Sequence, residues 1–147
     1  MTQVVTSIRP PAWFWLVGLL GLAWFAMGLF QFVLAMKATA ESLAAQGFTP
    51  EQVTADLGMP IWMRACWVIG VLAGIAGSAL LLLRRRQTVW LLLVALATGV
   101  LMFIGDWAIG FFQIFGAPMV GLSSAVAVVA AFMWWFAQWA ERRNMLS

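Results

Sequence analysis

The stretch LMFIGDWAIGFF, residues 101–112, carries one carboxylate, Asp106, among uncharged apolar and aromatic neighbours. A carboxylate inside such a run is costly against lipid, so it faces protein or water and usually has a partner. Three other polar side chains stand in or beside long apolar runs: Gln31, Arg64 and Gln113. Gln113 follows Asp106 by seven positions, which puts both on one face if the helix is continuous. Two kinds of chemistry are open to this set. Arg64 and Asp106 could form an interhelical ion pair that fixes helix register, with Gln31 satisfying what remains. Alternatively, the four could line a polar vestibule that binds a small solute or relays a proton. Arg64 could also snorkel to the headgroups without a partner.

Other chemistry is poorly served. The chain has no histidine, one cysteine (Cys66) and five acidic residues. The commonest metal and haem ligand is therefore missing. No spacing suits a metal, and no Ser–His or Cys–His nucleophile can be assembled. No cofactor, no metal and no enzymatic activity are expected.

The composition sets the solvent. Of 147 residues, 65% are hydrophobic and 9% charged, against about 25% charged in soluble domains. A chain this apolar needs lipid around it. The net charge of +3 does not indicate nucleic acid, because the basic residues cluster beside apolar runs rather than over a face.

Four runs are long enough for the ~20 residues that a helix needs to cross a bilayer: 12–36, 61–83, 88–113 and 118–140. Their length and lack of alternation exclude membrane strands. The first run is longer than the ~7–15 residues of a signal core and reads as a retained helix. The expected fold is all-α, a single four-transmembrane-helix bundle over 1–147. Arg9, Arg84, Arg85, Arg86, Arg142 and Arg143 fall on one side, and Lys37 with Glu41, Glu51 and Asp56 on the other. The positive-inside rule then puts both termini in the cytoplasm of a bacterial inner membrane.

On the outer side, 37–60 form the one sizeable loop. In TPEQVTADLG, Thr49 reads as an N-cap, Pro50 as the first helical position, Gln52 as the capping-box partner and Gly58 as the stop. This predicts a short helix over 50–57. At ~1.5 Å per residue, Asp106 would lie roughly 10 Å below the outer surface, where Arg64 and Gln31 also fall. Gly105 and Gly110 flank DWAI and could loosen the helix there. Gly70, Gly74 and Ser78 make a small-residue stripe that lets another helix approach closely. Ser123, Ser124 and Thr98 can bond back to their own helices.

RPPAWFWLVGLLGLAWFAMGLFQF and MPIWMRACWVIGVLAGIAGSALLLLRRR resemble a group of small four-helix bacterial inner-membrane proteins, largely uncharacterised and often labelled sugar transporters. The likeness spans nearly the whole chain and implies topology and a possible sugar substrate, but no catalytic residue. Small multidrug exporters are also four-helix chains, with a glutamate embedded in helix one; here that helix has no acid, which weighs against drug/proton antiport. The residues themselves favour a non-enzymatic accessory or structural subunit of a membrane assembly, partnered by lipid and by a larger complex or copies of itself. The second reading is a small-solute transporter or channel acting as an oligomer.

Overall fold

The computed structural model describes residues 8–147; the first seven residues of the expected domain lie outside the described residues. Its helices are α1 (Ala12–Lys37), α2 (Ala40–Ala45), α3 (Pro50–Leu57), α4 (Ile61–Leu82), α5 (Thr88–Ala108), α6 (Phe111–Phe115) and α7 (Ala117–Arg142). Among them α1, α4, α5 and α7 are each long and apolar enough to cross a membrane. The all-α four-helix membrane bundle expected from the sequence is the fold found.

Proline and glycine punctuate the chain. Pro11 and Pro60 stand in extended geometry immediately before α1 and α4, where a missing N–H costs nothing. The capping box of α3 forms as expected. Gln52 N–H donates to Thr49 Oγ1 at 3.2 Å, and Thr49 N–H donates to Gln52 Oε1 at 3.1 Å. A second capping box, Thr39 with Ser42, starts α2, a helix the sequence reading did not anticipate. The third span is shorter than the expected 88–113. Gly110 adopts φ 80°, a left-handed geometry that ends a helix, and Gly116 at φ 78° separates α6 from α7. Gly105, by contrast, stays helical, with Met63 and Trp62 packed over it.

The four spans lie in the order α1–α4–α5–α7, each packed on the next. Apolar burial gives little drive between helices in lipid, so close packing decides the arrangement. The stripe on α4 serves both neighbours. Gly70 lies against Thr98 of α5, and Gly74 lies under the ring of Phe25 of α1; a Cβ at either position would overlap them. Gly77 takes Leu92 of α5 the same way, and Ser78 is fully buried. The stripe is thus used inside the bundle, between two neighbours at once.

The fourth seam, between α1 and α7, is different. These helices meet through bulky side chains at one end only. Trp13 touches Phe136 and Trp139, with ring centroids 5.6 and 5.1 Å apart, and Phe14 meets Phe136 at 5.6 Å with the rings tilted. Above them, Met133 sits against Gly21. This end also holds the α4–α5 turn and the chain after α7, and is called the basic end here. Arg84, at φ 59°, joins its parts: Nε donates to the Met145 carbonyl at 2.8 Å and a terminal nitrogen to the Ile8 carbonyl at 3.0 Å. Met145 and Leu146 are buried in the same core as Phe14, Leu81, Leu92 and Phe136. The opposite, loop end carries α2, α3 and α6, tied by a Phe48–Phe115 contact at 5.8 Å.

Gly74→Ala is expected to lower stability by about 1–3 kcal/mol, because its methyl group must displace the Phe25 ring. Gly121→Ala, where nothing lies within 4 Å of the added atom, is expected to be neutral or slightly stabilising. Thermal unfolding of both variants in one detergent checks the pair. An unchanged midpoint for Gly74→Ala would remove the α1–α4 seam from this account.

Candidate functional site

Toward the loop end, α1 and α7 leave a cavity of about 800 Å³ between them. Its walls come from every long helix. α4 and α5 contribute Trp67, Gly70, Thr98, Met102 and Phe103; α1 contributes Trp24, Phe25, Gly28 and Gln31. Met119, Leu122 and Ser123 come from α7, while Phe111 and Phe115 come from α6. The loop segment roofs it with Leu43, Gln46 and Phe48, and Lys37 and Asp56 stand at that upper level. Below, it ends at Ala95 and Ala130, where the buried core of the basic half begins. The volume lies within the ~300–1,000 Å³ of ordinary small-molecule sites.

Asp106 lines this cavity and is 2% exposed. Its partner is not Arg64. The Ser123 hydroxyl donates to Asp106 Oδ2 at 2.7 Å, across from α7, and Oδ1 has no hydrogen-bond partner among the described residues. Arg64 occupies the first turn of α4 and donates from a terminal nitrogen to the Leu57 carbonyl at 3.0 Å. The physical reason is local. Leu57 ends α3 four residues before α4 starts, leaving its carbonyl unpaired within the helix, and Arg64 reaches it without entering the bundle. The expected Arg64–Asp106 ion pair is therefore corrected to two separate contacts.

Of the four expected cluster residues, the cavity gathers Gln31 and Asp106 and leaves out Arg64 and Gln113. Gln113 lies beyond the break at Gly110, on α6, and is exposed. The seven-residue spacing from Asp106 loses its meaning once the helix stops. Thr98 bonds back to the Val94 and Ala95 carbonyls at 2.9 and 3.0 Å, as expected. Ser123 does not; it serves Asp106. A signal for that was present. Asp106 comes two residues before the end of α5 and Ser123 is the seventh residue of α7, so the tight connection between those helices brings both to the same end of the bundle.

Asp56, outside the spans on α3, also lines the cavity. Burial raises its carboxyl above the usual carboxylate value, and the nearby Arg64 guanidinium pulls the other way. The folded protein therefore holds the Asp56 proton more tightly than the unfolded chain. That contribution is fully present below the ordinary carboxylate range of about 4 and is lost as pH rises through the raised value.

Two outcomes are expected. In a double-mutant cycle, Ser123→Ala and Asp106→Asn couple by roughly 1–3 kcal/mol, whereas Arg64→Gln and Asp106→Asn add within about 0.5 kcal/mol. A strong Arg64–Asp106 coupling would restore the ion pair. For Asp56, hydrogen exchange of α3 amides is expected to speed up as pH rises past the carboxylate range, beyond the chemical trend, and Asp56→Asn to flatten that excess. Equal pH dependence in the variant would discard the buried-carboxyl account. Comparison of the chain with protein families, curated proteins and solved structures finds no match to any of them.

Proposed function

We propose that this membrane protein binds a small molecule in the cavity between α1 and α7 and acts as a carrier for it. One observation supports the reading above the others: about 800 Å³ of space beside a buried carboxylate whose second oxygen has no partner among the described residues. A space of that size lined mostly by apolar side chains with a few polar groups is what small-molecule sites offer. An unpartnered polar atom is costly. Both features are consistent with an occupant that supplies the missing contacts.

The lining indicates the occupant's character. Aromatic, methionine and aliphatic side chains dominate, with few groups free to hydrogen-bond. Thr98 is already engaged with its own helix. That suits a solute with an apolar body and one polar group. A polyhydroxylated sugar, the substrate implied by the family resemblance, would leave most of its hydroxyls unmatched. A carrier also fits better than a channel. The cavity ends at Ala95 and Ala130, and the core that contains Phe14, Leu81, Leu92 and Phe136 fills the basic half, so passage requires that half to open.

Native mass spectrometry of the full chain, extracted with its surrounding lipid, tests the proposal. A bound small molecule is expected at unit stoichiometry. Ala35→Trp, which fills the cavity from its α1 wall, is expected to abolish it while the fold persists. A wild-type chain that carries no small molecule, and instead co-purifies with a larger membrane protein, would overturn the carrier in favour of an accessory subunit.

A further inference from the structure

We infer that the solute is a lipophilic organic cation, and that Asp106 is the counter-charge that selects it; this rests on the cavity being a solute site. The first observation is electrostatic. Asp106 is 2% exposed and has one neutral hydrogen bond, from Ser123, on one oxygen only. A single hydroxyl does not compensate an ionised carboxylate removed from water. Arg64 is committed to the Leu57 carbonyl. Asp106 is thus a buried carboxylate to which no cationic side chain is bonded among the described residues.

The second observation is the surface around that anion. Trp24, Trp67 and Phe103 line the same cavity, and aromatic faces attract desolvated cations. They also give apolar substituents a surface to pack on. Charge, ring faces and volume together select a bulky ammonium or phosphonium rather than an inorganic ion, which would keep its hydration shell. Among the described residues the charged groups lining the space are Lys37, Asp56 and Asp106; Asp56 has the Arg64 guanidinium near it, and Asp106 has none.

Cys66 makes this testable without introducing a probe residue. It is the chain's sole cysteine, it is free and partly exposed, and it lines the cavity. Its alkylation by N-ethylmaleimide, in the full chain in nanodiscs, reports occupancy of the site itself rather than partition into lipid. Two probes of similar shape are compared, tetraphenylphosphonium and neutral triphenylphosphine oxide, by the concentration of each that half-protects Cys66. The ratio of those concentrations between wild type and Asp106→Asn cancels lipid partition. The cation's advantage is expected to fall about tenfold or more in the variant, with protection by the neutral probe retained. Asp106→Ser replaces the amide if that does not fold. Protection by both probes with an unchanged ratio would overturn the cation and leave the cavity site standing. Ready alkylation of Cys66 with protection by neither probe would overturn the site, and the cation with it.

Discussion

The close approach of α4 to both α1 and α5, along residues with almost no side chain, sets the shape of the molecule. Gly74 admits the Phe25 ring, and Gly70 and Gly77 admit Thr98 and Leu92. With those two seams drawn tight, and α7 held against α5, the four helices form an arc before they form a ring. The ring closes only where large side chains span the remaining gap. Trp13, Phe14, Phe136 and Trp139 do so at the basic end. Among the described residues no aromatic pair joins α1 to α7 toward the loop end, and the gap there is the cavity. Packing at α4 and space between α1 and α7 are thus one geometric fact.

That division explains how the chain distributes its few polar groups. At the basic end, polar atoms serve closure. Arg84 reaches two carbonyls from segments far apart in sequence, and its own left-handed turn lets the chain reverse between α4 and α5. At the loop end, the capping boxes of Thr39 and Thr49 start two short helices that stand outside the spans. Gln52 adds a 3.4 Å contact to the Ile114 carbonyl, linking this roof to α6. Between the ends, Asp106 and Ser123 are the only side chains hydrogen-bonded to each other across two spans among the described residues.

Most of the fold was legible because lipid makes length and apolarity decisive. The four spans, the basic turn, and the α3 helix with its cap followed from residue type and spacing. The misreadings share one cause: contacts decided by backbone geometry that hydropathy does not record. The span over 88–113 looked continuous because Phe111, Phe112 and Ile114 are as apolar as what precedes them; only the positive φ at Gly110 reveals the stop. Arg64 and Asp106 looked like partners because opposite charges at one depth invite pairing. A carbonyl freed by the end of α3 was nearer to the guanidinium, and no charge pattern announces it. A serine in a membrane helix can satisfy itself, whereas Ser123 donates its hydrogen bond to a carboxylate across the seam.

These corrections change what Asp106 means. Paired with Arg64, it would have been a closed structural unit, neutral as a whole and indifferent to its surroundings. Bonded to Ser123 alone, it is held in place by one oxygen and left incomplete at the other. Its position is fixed by α5 and α7, the two helices that frame one side of the opening, so anything that completes the carboxylate also bears on the α1–α7 gap. A solute that neutralises the charge would remove the main electrostatic objection to drawing that gap closed. In a bundle whose other three seams are tight, the α1–α7 seam is the one with room to move.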